Sequence, residues 1–415
     1  MRDTPTTRPP ESAQPQPERR ALYAAYGMGL LGISLLDLYA LIVPLYAVSL
    51  GASSTEIGLL LGARSILPAF FSIHGGSLMD RLGTRRVMLA STLLVGALAL
   101  VFPATAWFPA LMLAQLFSGL FITFNWIGAQ TLIAQIAYGD PVPLGRFNFI
   151  CRFGTIGAPL IAGMLWDIGG AWPTFGMIAV WAAIMHGLVI IVPEPNADLA
   201  KGPRQPISAV LPRISDYTRS FALLLIPVIA FTMVVSGLRN AATSIQNSIY
   251  IVYLEGIGLE GTAIGLLFAI LEVTVGLASL NVGAVRKLGR AETVLLVTTA
   301  ASIALVAVTP FLGGIFALLL LMQALRGAAQ GFMQPLMFSI QSEAAGKDFQ
   351  GAVVGLRATA NRLFSVVLPP VMGFIADTVS LEASFFLTGL FLVMGCAGMG
   401  WIVATRPSFR LKRDT

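Results

Sequence analysis

The sequence predicts an all-α membrane protein of twelve transmembrane helices in two pseudo-symmetric six-helix bundles, with both termini cytoplasmic. Composition is the first reason, because 56% of the 415 residues are hydrophobic and only 11% are charged. A soluble domain carries about 25% charged residues, so this chain is expected to have bilayer hydrocarbon as its solvent. The other two reasons are the number of apolar runs and a repeat at half the chain length.

Apolar runs give the number of spans. A transmembrane helix needs about 20 mostly apolar residues, and runs of that length form two groups of six around a polar, proline-bearing segment. The predicted spans are 21–49, 56–78, 87–105, 109–136, 146–166, 173–192, 220–254, 262–282, 292–312, 315–338, 350–376 and 382–404. The predicted domains are a disordered tail (1–20), an N-terminal bundle (21–192), a cytoplasmic linker (193–219), a C-terminal bundle (220–404) and a basic tail (405–415).

Lysine and arginine are confined to alternate connections. The even-numbered connections and both tails contain basic residues, whereas the odd-numbered connections contain none and hold acids such as Asp167 and Asp377. Basic loops stay on the cytoplasmic side of a membrane, so both termini are expected there. The net charge of +6 then faces anionic lipid, which argues against a nucleic-acid partner.

The two halves of the chain repeat at a near-constant offset. The segment Ile57–Gly62 recurs as Ile264–Ala269, 207 residues later. Four residues in or directly after span 5 recur 210 residues later in or directly after span 11: Arg152, Pro159, Gly163 and Asp167 correspond to Arg362, Pro369, Gly373 and Asp377. This pattern predicts two six-helix units related by an axis along the membrane normal.

A charged motif connects spans 2 and 3. It reads Gly76-x-Leu78-x-Asp80-Arg81-x-Gly83-x-Arg85-Arg86, and its glycines permit close packing and a tight reversal. The spacing resembles the loop signature of the major facilitator superfamily, and the resemblance extends over about residues 21–405. It implies two bundles that rock around a central cavity. We expect Asp80 to form a cytoplasmic latch with the start of span 11, and the three arginines to contact lipid headgroups or nearby acids.

Span 5 carries a second motif, Gly154-x-x-x-Ala158-Pro159-x-x-Ala162-Gly163. It resembles the superfamily's antiporter motif, with alanine at two of the glycine positions. A proline bend on a face of small residues lets another helix pack closely, so the motif is expected at the contact between the bundles. The superfamily associates it with exporters that exchange drugs or metabolites for protons. Ordinary helix packing is the alternative.

Charged residues also lie deep inside the predicted spans, where each costs at least about 2.5–3.5 kcal/mol and faces a partner or a cavity. They are Asp37, Arg64, Arg239, Glu272 and Arg326. Two interpretations stay open. Asp37–Arg64 or Arg64–Glu272 is a buried ion pair that fixes packing, or these groups line a central cavity in which Asp37 or Glu272 takes up the proton.

Uncharged polar side chains accompany these charges. On span 10, Gln323, Gln330 and Gln334 fall within about 40° of one another at 100° per residue, near Arg326. They form either a cavity wall or hydrogen bonds between helices. The predicted cavity further includes Gln115, Asn125, Trp126, Asn240 and Gln246. Arg152 and Arg362, closer to the cytoplasmic ends of spans 5 and 11, are expected to be structural and to lie outside the site.

No motif indicates an enzyme, a metal site or a cofactor. The phosphate-binding sequence Gly-x-x-x-x-Gly-Lys-Ser/Thr is absent, so the expected energy source is a proton gradient. We therefore predict a monomeric, multi-pass inner-membrane transporter whose partners are small organic substrates, protons and lipids. The slightly positive set of deep charges favours anionic or zwitterionic amphiphilic compounds, and the span 5 motif favours proton-coupled efflux. The alternatives are an uptake symporter or facilitator for an organic anion, and a non-transporting receptor.

Overall fold

The computed structural model describes residues 19–137, 141–192, 222–281, 289–312, 314–345 and 350–406. Its helices are α1 (Arg19–Ser49), α2 (Ser54–Leu82), α3 (Thr84–Ala104), α4 (Phe108–Ile136), α5 (Pro141–Gly169), α6 (Ala171–Ile191), α7 (Pro227–Gly256), α8 (Gly261–Ser279), α9 (Ala291–Ala307), α10 (Phe316–Ala345), α11 (Gln350–Thr378) and α12 (Leu381–Thr405). Short 3₁₀ turns precede α7 and follow α9. These ranges contain no strand, so the all-α class is confirmed.

Ten of these helices are long and apolar enough to cross a membrane, judged by length and composition alone. Within the described ranges, α2 and the 17-residue α9 fall outside that set. Each predicted span nevertheless coincides with one helix. The protein is a multi-pass membrane protein, while the count of twelve crossings stays a prediction.

Local sequence signals explain how several helices begin and end. The Ser53 Oγ accepts a hydrogen bond from the Glu56 amide at 3.2 Å, and the Glu56 carboxylate accepts one from the Ser53 amide at 2.9 Å. This reciprocal pair caps the N-terminus of α2. Gly83 lies between α2 and α3 with φ of 91°, a conformation that glycine adopts without strain, and it forms the predicted tight reversal. Asn247 and Ser248 interrupt α7, which the sequence did not predict.

Helix contacts divide the molecule into an N-terminal and a C-terminal bundle. In the first bundle, α1 packs on α4, α5 and α6, and α3 packs on α4 and α6. In the second, α10 packs on α8 and α9, and α7 packs on α9 and α11. The two bundles meet along a pair of crossed contacts, α2 with α11 and α5 with α8. The central part of the molecule therefore lies between these four helices.

The predicted repeat is visible in the packing. A Cβ on Gly119 of α4 would collide with the backbone carbonyl of Arg64 on α2, and a Cβ on Gly327 of α10 would collide with that of Leu271 on α8. Leu271 follows Arg64 by 207 residues, the offset found in the sequence. Each bundle thus uses a glycine at the equivalent position to bring the same pair of helices together.

Candidate functional site

Two aspartates join the bundles at one end of the molecule. This end carries the α1–α2, α5–α6, α7–α8 and α11–α12 connections and is named here the α1–α2 end. The Asp377 carboxylate on α11 accepts hydrogen bonds from the amides of Ser54 and Thr55 at 3.0 and 2.8 Å. The pseudo-equivalent Asp167 on α5 accepts from the amides of Gly261 and Thr262, both at 2.7 Å. Each acid therefore caps the first turn of a helix in the other bundle.

Close backbone contacts continue inward from these caps. A Cβ on Gly58 of α2 would collide with the Pro369 carbonyl oxygen of α11, and one on Gly265 of α8 would lie 2.5 Å from the Pro159 carbonyl oxygen. Gly163 faces the backbone of Gly261 in the same way. Pro159 and Gly163 of the α5 motif therefore lie at the contact between the bundles, as predicted, whereas Gly154 packs against α1 of its own bundle and Ala158 and Ala162 are buried.

An ion pair crosses between the bundles in the middle of the molecule. Arg152 Nη1 of α5 lies 3.0 Å from Glu272 Oε2 of α8, and the two side chains are 47% and 26% exposed. Neither pair considered from the sequence, Asp37–Arg64 or Arg64–Glu272, occurs among the described salt bridges. The expectation that Arg152 is remote from the site is wrong, because its long side chain reaches across to α8.

Asp37 belongs to the same electrostatic cluster. Its carboxylate lies within electrostatic range of Glu272, Arg64 and Arg152, and its Oδ2 is buried without a hydrogen-bond partner among the described residues. Arg64 instead donates from Nη2 to the Leu36 carbonyl oxygen at 2.8 Å. The cluster therefore brings two acids and two arginines from both bundles together.

A polar cavity of about 140 Å³ lies beside this cluster, between α2, α7 and α11. Two of its lining residues are arginines, Arg64 and Arg362, and the rest are mainly hydroxyl and amide side chains. The full lining is Leu61, Arg64, Ser65, Asn240, Thr243, Ser244, Asn247, Arg362, Ser365 and Pro369. Arg362 was expected to be structural and outside the site, but the structure places it on the cavity wall.

The charged and amide residues of α10 lie between helices. Arg326 is 1% exposed and donates to the Gln246 side chain at 2.6 Å and to the Ala242 carbonyl oxygen at 2.7 Å, both on α7. Gln323 accepts from the same guanidinium at 3.5 Å, and Gln330 donates to Ser302 of α9 at 3.2 Å. The contacts of Arg326 with α7 and of Gln330 with α9 match the interhelical alternative, whereas the contact between Gln323 and Arg326 lies within α10. Gln334 is half-buried.

The other residues that the sequence predicted for the cavity lie at different places in the two bundles, and among them Asn240 lines the cavity. Gln115 and Asn125 of α4 are fully buried, and neither amide group has a hydrogen-bond partner among the described residues. Trp126 stacks on Phe147 with ring centroids 6.2 Å apart. Arg239 is half-buried and lies near Arg357. Asn240 lines the cavity and also holds α11, donating to the Asn361 carbonyl oxygen and to Ser365 Oγ, each at 2.7 Å.

The structure describes the surroundings of two arginines of the α2–α3 motif, Arg85 and Arg86. Arg85 donates to the Ile190 carbonyl oxygen in the last turn of α6 at 2.8 Å, and Arg86 is exposed. Arg85 was expected to contact lipid headgroups or an acid, but the structure shows it bound to the C-terminal end of α6. Gly76, Asp80 and Arg81 belong to the end of α2, but their contacts lie outside the described residues, so the Asp80 latch stays a prediction.

A family model decides what kind of protein has this geometry. The model of the Major Facilitator Superfamily matches residues 22–246 and 233–415. The chain belongs to the Major Facilitator Superfamily. Its paired bundles are therefore those of a membrane transporter, and members of this superfamily bind small organic substrates.

Curated relatives within the superfamily match part of the chain. The quinolone resistance protein NorA of Staphylococcus aureus is 25% identical over 165 residues, which cover 39% of this chain and 42% of NorA. An uncharacterized MFS-type transporter of Methanocaldococcus jannaschii is 29% identical over 149 residues, 35% of this chain and 39% of that protein. The matched region thus spans less than half of either relative.

Solved structures of other transporters share the whole fold. The nucleoside transporter NupG superimposes with a TM-score of 0.75 at 15% identity, covering 93% of this chain and 100% of that one. A POT family transporter in complex with 5-aminolevulinic acid gives a TM-score of 0.70 at 13% identity, covering 93% and 97%. These likenesses extend the superfamily fold over nearly all of the chain.

Proposed function

We propose that the protein is a secondary active transporter that exports small anionic or zwitterionic amphiphilic compounds in exchange for protons. The observation that carries the proposal is the charged cluster at the contact of the two bundles, with a polar cavity beside it. A carrier that works by alternating access needs its binding groups where the two bundles meet, because movement of one bundle against the other exposes that place to either side. The Arg152–Glu272 pair and the cavity residues occupy that place.

The orientation follows from the positive-inside rule. Basic residues such as Arg85 and Arg86 lie in the first turn of α3, beside a connection opposite the α1–α2 end, and basic segments of this kind stay in the cytoplasm. The α1–α2 end then faces outward, in a bacterial-type inner membrane. The caps made by Asp167 and Asp377 hold the transporter closed to the outside in this arrangement. A monomer suffices, because the two bundles enclose the site within one chain.

Proton exchange is assigned to Glu272 and Asp37. Protonation of Glu272 removes the charge that holds Arg152, so proton uptake weakens a contact between the bundles. Asp37 lies within electrostatic range of Glu272, Arg64 and Arg152. Its charge therefore changes how strongly the Arg152–Glu272 ion pair holds the bundles together. Acids placed inside the membrane at the contact of moving elements are typical of proton relays. The proton gradient then supplies the energy, with no cofactor.

Export is favoured over uptake by two observations. Pro159 and Gly163 of the α5 motif, which the superfamily associates with exporters, lie at the contact of the bundles, and the partial match to NorA is to a drug-resistance protein. The two alanines of the motif leave the uptake alternative in place. Direction therefore has to be measured together with substrate.

The test is flux in proteoliposomes that hold the purified full-length chain. Candidate compounds from a thermal-shift screen are loaded inside or outside, and a pH gradient of either sign is imposed. We expect uphill movement of the substrate against proton flow, lost in Glu272→Gln and Asp37→Asn and retained in Glu382→Gln, an exposed acid at the start of α12. Substrate and protons moving in the same direction would identify a symporter, and no flux of any hit would favour the non-transporting receptor.

A further inference from the structure

The internal repeat shows that one of two equivalent arginines lacks its acid. Arg152 and Glu272 form an ion pair between α5 and α8 at 3.0 Å. The residue equivalent to Arg152 at the 210-residue offset is Arg362 on α11, and the residue equivalent to Glu272 at the 207-residue offset is Ser65 on α2. Arg362 and Ser65 both line the cavity. The α2–α11 contact therefore keeps the cation of the α5–α8 contact and carries a small neutral side chain in place of its carboxylate.

The charges around this cavity do not balance. Its described lining includes Arg64 and Arg362 and no carboxylate, and the two guanidiniums are close enough to repel each other. Asp37 offsets part of the charge of Arg64 from outside the lining, whereas Arg362 donates to a neutral hydroxyl, Thr123 Oγ1, at 3.3 Å. A cation inside a membrane normally has a partner or faces a cavity that receives one.

The remaining wall supplies neutral donors. Ser65, Thr243, Ser244 and Ser365 carry hydroxyl groups, and Asn240 and Asn247 carry amides. Each guanidinium has five N–H donors in a fixed planar arrangement that matches a carboxylate. One hydrogen bond anchors each guanidinium among the described residues, from Arg64 to Leu36 and from Arg362 to Thr123. Further N–H groups of both arginines therefore remain for a ligand.

We propose that this cavity binds the carboxylate of a compact organic acid between Arg64 and Arg362, in the place equivalent to that of Glu272 at the α5–α8 contact. The volume of about 140 Å³ is close to the roughly 150 Å³ of an engineered protein cavity that holds benzene. Drug-sized ligands need about 300–1,000 Å³. The site thus suits an acid of the size of benzoate. Binding of the acid does not depend on transport. Only the use of this cavity as the substrate site rests on the proposed function.

Equilibrium binding tests the site without any flux. Isothermal titration of the purified full chain in detergent is performed with benzoate and with benzamide, its neutral counterpart of the same shape. We expect saturable benzoate binding and binding of benzamide weaker by about tenfold to a hundredfold, because charged hydrogen bonds are lost. Equal affinity for the two compounds, or no benzoate binding, would overturn the proposal even if no variant were available.

Variants locate the site. Arg64→Gln and Arg362→Gln are each expected to weaken benzoate binding by about tenfold or more, while Arg146→Gln, an exposed arginine of α5, leaves it unchanged. Ser65→Glu supplies the missing acid and is expected to abolish binding. Glu272→Ser removes the acid of the equivalent α5–α8 contact and is expected to add a second benzoate per chain at Arg152. Wild-type binding in a folded Arg362→Gln variant would overturn the assignment.

The binding and flux experiments fail independently. Benzoate binding that depends on Arg362, in a protein that moves no substrate in proteoliposomes, would leave this site standing and reject the proposed transport. Proton-coupled export of an anionic or zwitterionic amphiphile, in a protein whose benzoate binding does not depend on Arg362, would do the reverse.

Discussion

At the scale of single residues, the contact between the bundles depends on the absence of side chains. Gly265 of α8 faces the Pro159 carbonyl oxygen of α5, and an added Cβ would lie 2.5 Å from it. Gly276, on the same helix, has nothing within 4 Å of its Cβ position. One glycine is therefore required by close packing between the bundles, and the other serves as its control.

We expect Gly265→Ala to lower the melting temperature of the purified protein, because overpacking of a tight contact costs about 1–3 kcal/mol. Gly276→Ala is expected to leave it unchanged or to raise it, because alanine favours a helix over glycine by up to about 1 kcal/mol. Thermal unfolding in detergent measures both. Equal effects of the two variants would show that helix propensity, and not contact between the bundles, determines the result.

The sequence predicted the glycines and prolines at the contact between the bundles better than it predicted the partners of the deep charged side chains. The offsets of 207 and 210 residues matched the glycine and proline contacts in both halves, because equivalent positions share a local backbone environment. Depth along a helix was a poor guide to Arg152 and Arg362, because it says nothing of the direction or reach of a long side chain. The repeat could have indicated that these residues belong to the site, because the same offsets relate Arg152 to Arg362 and Glu272 to Ser65.

At the scale of helices, the α1–α2 end is held by two equivalent caps. Asp377 binds the start of α2, and Asp167 binds the start of α8. A carboxylate at a helix N-terminus satisfies free amides and interacts with the positive end of the helix dipole. The sequence identified both acids as repeated loop residues, but a sequence does not show which helix start lies opposite an acid until the bundles are assembled.

We expect Asp167→Ala and Asp377→Ala each to shift the transporter toward a state open at the α1–α2 end. Loss of a cap costs about 1 kcal/mol, which changes the ratio of open to closed states about fivefold. Spin labels at Trp107 and Phe311, exposed residues in the loops of opposite bundles, report the opening as a longer distance by pulsed electron resonance. Glu260→Ala is the matched control, because Glu260 precedes α8 but makes no cap with its side chain.

At the scale of the whole molecule, contacts at both ends of the transporter determine one equilibrium, that between the state open at the α1–α2 end and the state open at the opposite end. The caps stabilise contact at the α1–α2 end, and the hypothesis for Asp80, whose contacts lie outside the described residues, places a competing latch at the opposite end. A carrier that stays closed at one end cannot release or take up substrate there and therefore cannot complete its cycle. The stabilities of the two closures must therefore stay within a few kcal/mol, since a shift from 1:99 to 99:1 already takes about 5.5 kcal/mol.

This balance predicts that variants at opposite ends compensate. Asp377→Ala alone is expected to lengthen the distance between labels at Trp107 and Phe311, and Asp80→Asn alone is expected to favour the short distance and to slow turnover with little change in substrate affinity. The double variant is expected to restore a distribution near that of the wild type, because each change removes stability from a different closed state. If Asp80→Asn leaves the distribution of the Asp377→Ala background unchanged, Asp80 does not oppose the caps, and the opposite closure depends on other residues.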